Sequence, residues 1–407
     1  MNKNDFTIIA FSPFGSGLSG GDRIFIELAR QFSAQKILTN IYTWNAGVLM
    51  CKKLSLQESQ YCRIKSYNMS PWCNLGFFIC YLYRICFSIY FALFLYKPSE
   101  KVPQKIFYSA SDFLMDVLPA VILKWRFHNS KWVGTFYLTA PNPFKGFRES
   151  GGLQFPSLHS IVYYFSQKVV YFLLKKQADF IFVTSEPDTN KFPLHKTEGK
   201  TFVIQGGVDL EYINKWKTKI GKQKKVYDGI FMGRFHEQKG VLELIDIWKK
   251  VIGTIPNAKL VMIGDGPLWE EVKNKIDKNG LRNNILLTGY LLDGEEKYKI
   301  FSQSKLFLHP ALYDSGGMSA AEAMAWDIPA IAFDLEALKS YYPQGVMKVP
   351  FGDLDAFAMG VIRLLDNKKD YFELQQSAKQ LIETTWDWKQ RVNRLLVVIK
   401  KKNLLYT

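Results

Sequence analysis

The sequence predicts an α/β protein built from two parallel-sheet domains, and three observations carry the prediction. A chain of 407 residues is longer than one ordinary hydrophobic core needs. Short apolar runs alternate with amphipathic stretches at the spacing of strand–helix–strand units, which place their strands in parallel. A glycine pair, Gly206-Gly207, is how a linker between two domains would be built, and the strand-like sequence restarts with the apolar run Gly229-Ile-Phe-Met. The first domain is therefore expected in residues 1–205.

A hydrophobic share of 48% against 22% charged residues is that of a globular chain with ample core. Net charge is +16, and about two-thirds of the excess precedes residue 206. Such charge suits nucleic acid, an anionic membrane surface or an acidic substrate. Neither an RNA-binding signature nor a Lys/Arg-rich tail accompanies it, so the membrane is favoured and nucleic acid is not expected as a partner. The N-terminus passes straight into a strand with no apolar region of signal-peptide length, which predicts a cytoplasmic protein. Cys51, Cys62, Cys73, Cys80 and Cys86 fall within one short region at irregular spacing, without a nearby histidine. That pattern argues against zinc or a disulfide framework and predicts reduced, partly buried thiols.

In chain order, residues 6–11 read as a buried first strand and Gly21 to Phe32 as an amphipathic helix. Gly15-Ser-Gly17-Leu-Ser-Gly20 between them matches G-x-G-x-x-G, which opens a nicotinamide oxidoreductase as an alternative. The second strand, Ile37 to Trp44, ends in Asn45-Ala-Gly, without the acidic residue that a dinucleotide ribose requires. Asp22 is expected to cap the helix start, with a substrate role as the lesser alternative. Lys105-Ile-Phe-Tyr and Trp132 to Tyr137 give further strands, and Ala178 to Glu186 reads as the strand and turn that close the domain.

Two stretches stand apart. Residues 71–97 are the most apolar in the chain and long enough to span a bilayer, but Asn74 and Arg84 interrupt them. A span there would also cut the domain's strand–helix alternation in half. The expectation is a helix packed on one side and facing lipid on the other. Pro156 to Lys176 repeats the theme, with Lys168, Lys175 and Lys176 at the edge of an aromatic and aliphatic face. Amphipathic helices with basic borders lie in the membrane interface, which predicts a protein peripherally attached to the inner face.

The lysine-rich stretch from Lys215 to Lys225 is expected to be a solvated connection. Beyond it, the strand ending at Gly233 runs into Arg234-Phe-His-Glu-Gln-Lys239-Gly240, whose two cations can converge on one anion as a fork and a point charge. Ala258 to Gly264 is a strand followed by Asp265-Gly266, and Asn284 to Gly289 is the next, followed by Tyr290. Asp353-Leu-Asp355 superficially matches a metal-binding pair but is expected to cap a helix. Leu306 to Leu308 forms a buried strand, then Asp314, Gly316-Gly317, a helix opening near Ser319, and Glu322. Glycines let backbone approach a ligand closely, and a helix N-terminus suits phosphate. The carboxylates suit hydroxyl groups instead, as on a sugar or ribose.

Asp314-Ser-Gly-Gly-Met-Ser-Ala-Ala-Glu322-Ala-Met-Ala resembles the acidic-x7-acidic signature of retaining GT-B glycosyltransferases of family 4, the glycosyl transferases group 1. Two departures stand out: the first Glu is Asp314, and the usual Phe is Gly316. Gly233-Arg234 with Lys239-Gly240 resembles the same family, and so does the hinge Ile204-Gln-Gly-Gly-Val-Asp209. The resemblance implies a GT-B architecture: two Rossmann-like domains facing across a cleft, the second in 206–385. Residues 386–407, with Trp386, would then return to the first domain as a crossover helix.

The resemblance further implies a nucleotide-diphosphate sugar as donor and no metal or other cofactor. Arg234 and Lys239 would hold the diphosphate, helped by backbone at Gly316, Gly317, Met318 and Ser319. Glu322 would take the ribose hydroxyls and Asp314 the sugar hydroxyls. Gly233, Gly266, Gly289 and Tyr290 would border the nucleotide, and Gly20-Gly21 would lie near the donor phosphates. A histidine usual in the first domain is missing, so Asp112, Thr139 and Asp22 are acceptor-side candidates by position. The acceptor class implied is a lipid-linked or cell-surface glycan. A non-catalytic glycan-binding relative is the third reading.

Overall fold

Seven parallel strands form the first sheet: β1 (Asn4–Ala10), β2 (Leu38–Trp44), β3 (Cys62–Tyr67), β4 (Gln104–Ser109), β5 (Ser130–Phe136), β6 (Phe180–Val183) and β7 (Thr201–Val203). Their order is β3-β2-β1-β4-β5-β6-β7. The computed structural model describes residues 4–13, 19–98, 103–144, 156–314, 316–402 and 404–405. Gly15 and Gly17 of the glycine pattern thus lie outside the described residues, as does Ser315. Every residue of β1 is buried, with Ile8 in register with Ile41 on one side and Tyr108 on the other. Continuous apolar strands of this kind belong to a parallel sheet covered on both faces.

The second sheet has six parallel strands: β8 (Tyr227–Met232), β9 (Leu260–Ile263), β10 (Ile285–Gly289), β11 (Ser304–His309), β12 (Ala330–Phe333) and β13 (Val346–Val349). They run in the order β10-β9-β8-β11-β12-β13. Gly229 faces Leu260 on β9 and Leu306 on β11, and Trp248 closes over it; a Cβ there would lie 2.9 Å from the Trp248 ring. The strand order reverses between β8 and β11. Open α/β sheets bind their ligands at such a switch point, beyond the carboxyl ends of the strands.

The chain divides into two compact units, the second containing Gly207–Gln390 and the first containing the described residues before Gly207 together with Arg391–Thr407. Residues 386–390, expected in the returning helix, stay with the second unit. Trp386 is fully buried among Tyr341, Tyr342 and Ile382, and Val208 donates its N–H to the Trp386 carbonyl. The helix Trp388–Lys401 starts there, and its body belongs to the first unit.

Two local expectations need correction. Only the end of the lysine-rich stretch is a connection: Leu210–Ile220 is a helix, and residues 221–226 lead from it to β8. Asp209 caps the helix, and Ile213, Trp216 and Ile220 pack into the core at helical spacing while Lys217 and Lys219 reach Asp327 and Glu295. The first sheet does not end at β6, because Thr201-Phe-Val adds β7 at its edge. β3 escaped the sequence reading because Cys62-Arg-Ile-Lys-Ser-Tyr is a half-exposed edge strand without an apolar run. Asp353 does cap its helix, accepting from Ala356 N–H at 2.8 Å. All five cysteines are free thiols, with Cys51, Cys62 and Cys80 buried.

Candidate active site

Two loops meet at the switch point of the second sheet. The first leaves β8 as Gly233 to Gly240, and the second leaves β11 as Pro310 to Gly317. Gln238 accepts the backbone N–H groups of Leu312 and Tyr313 at 2.9 and 3.2 Å, which staples the loops together. Gly240 sits at φ +63°, and a Cβ there would lie 1.9 Å from the Pro310 carbonyl oxygen. Only glycine permits both that conformation and that approach. On the other flank, Gly264 and Gly266 press against Gly233 and Phe235, where added Cβ atoms would fall 1.9 and 2.5 Å from carbonyl oxygens. Phe235 N–H bonds the Asp265 carbonyl, fixing the turn that carries Arg234.

This stapling brings Lys239 to Asp314. Lys239 Nζ lies 2.5 Å from Asp314 Oδ2, and His309 Nε2, at the end of β11, lies 3.2 Å from the same oxygen. The other carboxylate oxygen accepts the N–H groups of Gly316 and Gly317, both at 3.1 Å. Burial by itself would raise the Asp314 carboxyl, but the Lys239 charge and His309 outweigh it and hold the group well below the usual carboxylate range. Asp314 is therefore ionised, buried and held by four partners. Sequence reasoning missed His309; its signal was a polar residue directly after the apolar run Leu306-Phe-Leu and before Pro310.

The glycines after Asp314 have separate reasons. A Cβ on Gly316 would lie 2.8 Å from the Tyr341 ring, so Tyr341 fills the space that a side chain here would need. Gly317 has φ +55° and opens the helix Met318–Ala325, one residue earlier than Ser319, and Tyr342 Oη donates to its carbonyl at 2.6 Å. Asp314 consumes the N–H groups of Gly316 and Gly317, which were expected to help hold phosphate. Those of Met318 and Ser319, in the first helical turn, have no partner within the helix.

Glu322 points to a second cation that sequence reasoning also missed. Lys297, 2% exposed, places Nζ 2.5 Å from Glu322 Oε1 and 2.7 Å from Asp293 Oδ1. A buried lysine persists where carboxylates compensate it. The four residues expected to surround one ligand thus resolve into two ion-paired clusters, Lys239–Asp314 and Lys297–Glu322, with Arg234 exposed on the turn beyond β8. Gly289, at φ +74°, accepts from Gly264 N–H at 2.9 Å, and Tyr290 beyond it is exposed.

The first-domain candidates are tied into local structure. Ser19 and Asp22 form a reciprocal cap, with Ser19 N–H donating to the Asp22 carboxylate at 2.8 Å. Gly20 and Gly21 start that helix, and Gly21 lies against the Tyr137 ring. Asp112 is buried and accepts from Gln167 Nε2 at 2.7 Å; burial pushes its carboxyl up to about 6. Thr139 accepts a hydrogen bond from Lys191.

Residues 213–381 match the family model for glycosyl transferases group 1. An uncharacterized glycosyltransferase of Methanocaldococcus jannaschii is 25% identical over 58% of this chain and 56% of its own length. An alpha-monoglucosyldiacylglycerol synthase of Acholeplasma laidlawii is 20% identical over 45% of this chain and 48% of its own. The chain thus spans roughly half the length of these curated relatives. A solved structure of a TarM mutant from S. aureus, in complex with fondaparinux, alpha-GlcNAc-glycerol and UDP, aligns with TM-score 0.71 at 12% identity. It covers 97% of this chain and 99% of that one, a likeness of fold.

Proposed function

We propose that this chain, a GT-B protein that belongs to the glycosyl transferases group 1 through residues 213–381, is a retaining glycosyltransferase that uses a nucleotide-diphosphate sugar. The observation that carries the reading is the Lys239–Asp314 ion pair at the switch point, where two stapled loops present a fixed cation and an ionised carboxylate together. Arg234, on the same loop as Lys239, adds a second cation that is free to swing onto a diphosphate.

In the proposed reaction, an acceptor hydroxyl oxygen bonds to the anomeric carbon on the face from which the diphosphate departs. The carbon–oxygen bond to the diphosphate breaks, and the acceptor's proton passes to the departing phosphate oxygen. Arg234 and Lys239 neutralise the charge that develops there, which removes the need for a metal ion. Asp314 orients sugar hydroxyls, and Glu322, held by Lys297, takes the ribose. The acceptor we assign is a lipid-linked or cell-surface glycan precursor at the cytosolic membrane face. The named glycolipid synthase among the relatives and the apolar-basic helices of the first domain support this.

A panel of nucleotide sugars screened by thermal shift identifies the donor, and slow donor hydrolysis reports the chemistry without an acceptor. Arg234→Ala should cut hydrolysis or transfer roughly 100-fold or more while leaving the melting temperature unchanged. Near-normal turnover in that variant, or no stabilisation by any nucleotide sugar, would overturn the assignment.

A further inference from the structure

The helix Phe77–Leu95 is built inside out. Its polar residues face the protein: Arg84 and Ser88 are buried, and Tyr81 Oη donates to Ser166 Oγ at 2.9 Å. Phe91 and Tyr81 pack inward with them, but a second set of large apolar residues faces outward. Phe78, Leu82, Tyr90 and Phe94 are exposed in a stripe at helical spacing, Phe94 by 66%. A water-facing helix shows the opposite pattern. Only a third of this helix is buried.

The helix Leu158–Gln177 repeats the arrangement beside it. Phe165, Val169 and Phe172 are exposed along one face, Phe172 by 60%, while Ser166 and Gln167 are buried. The two helices touch through Phe77 and His159, whose rings lie 3.9 Å apart, and through the Tyr81–Ser166 bond, so their apolar stripes belong to neighbouring elements. Exposed Lys168, Lys175 and Lys176 border the second stripe, and exposed Lys97 follows the end of the first. Neither 71–97 nor 156–177 contains an aspartate or glutamate.

We infer that these two helices form one docking surface whose occupant is an anionic lipid bilayer, with the apolar stripes buried at the headgroup boundary and the lysines on the phosphates. This rests on the proposed lipid-linked acceptor only for its purpose; the surface itself is argued from exposure and charge. Interfacial helices combine an apolar face with a basic border. A second copy of the chain fits less well, because a symmetric contact would bring lysine rims together with no acid on either side to pair them. The surface is also anchored to the sheet. Arg84, at the buried face, donates to the carbonyls of Phe11 and Pro13, just beyond β1.

Vesicle flotation of the full chain tests this, using phosphatidylcholine alone and phosphatidylcholine with 30% phosphatidylglycerol. Binding to the anionic vesicles and its weakening by 0.5 M salt are expected, with about fivefold lost per lysine neutralised. Phe94→Glu with Phe172→Glu should weaken binding at least about tenfold with unchanged melting temperature. Lys239→Ala should float like the wild type, and nucleotide-sugar binding should survive in the phenylalanine variant, which keeps this inference separable from the donor site. No flotation at low salt, equal flotation of the phenylalanine variant, or a concentration-dependent dimer that this variant abolishes would overturn it.

Discussion

Lys239 and Asp314, 75 residues apart in sequence, form an ion pair of 2.5 Å that joins the loops following β8 and β11. The unfolded Asp314 carboxyl titrates near the ordinary aspartate value of about 3.9. Its folded value is lower, so its contribution to stability is complete above about pH 4 and is lost as pH falls toward the folded value. Lys239→Met leaves the carboxylate buried without its strongest favourable partner and should destabilise the second unit by roughly 1–3 kcal/mol. Acid unfolding of that unit should begin at higher pH. Melting curves from pH 3 to 7 that superimpose on the wild type would contradict the coupling.

Lys297 should matter more to stability than Lys239 because it is almost wholly buried and serves two carboxylates. Lys297→Met strands Glu322 and Asp293 beside each other and should cost about 3–5 kcal/mol in urea titration. Adding Glu322→Gln removes one of the stranded charges and should restore part of the loss. A double variant no more stable than the single one would show that the Lys297–Glu322 bond is not the source.

Gly240 and Gly221 separate backbone strain from collision. Both have positive φ, +63° and +67°, yet a Cβ at Gly221 meets open space and one at Gly240 meets the Pro310 carbonyl. Gly221→Ala should cost roughly 1–3 kcal/mol, the penalty of a backbone conformation (φ +67°, ψ −174°) nearly restricted to glycine. Gly240→Ala should cost roughly 3 kcal/mol or more and weaken donor binding, because the Lys239 loop must move. Equal losses in thermal melts would refute the stapled-loop description.

Asp116 sets a pH dependence of opposite sign in the first unit. It is fully buried, where burial pushes its carboxyl up to about 7 against the bonds from Ser111 and from Phe11 N–H. A raised carboxyl contributes stability below about pH 4 that is lost as pH rises toward about 7, since the folded state holds the proton longer. The first unit should therefore lose stability between about pH 4 and about pH 7. Asp116→Asn should flatten that slope, which calorimetry can read directly.

The sheets were legible because each buried strand is an apolar run of β-forming residues, visible without knowing its neighbours. β3, β7 and β13 were not, since edge strands carry mixed residues and depend on a partner already in place. The helix Leu210–Ile220 was hidden by its lysines, although Ile213, Trp216 and Ile220 give its period. Asp314, Glu322 and Lys239 stood out as candidates by residue type and by resemblance to the family's motifs, but not which of them would pair.

The chain alone thus determined two parallel-sheet domains, the loops that follow their strands, and the residue types those loops carry, because propensity and apolar period act over a few residues. Tertiary structure decided that Lys239 neutralises Asp314, that Lys297 neutralises Glu322, that His309 stands behind the first pair, and which phenylalanines of the Phe77–Leu95 helix are exposed. Those outcomes depend on burial and on contacts between segments distant in sequence, and burial is a property of the folded whole.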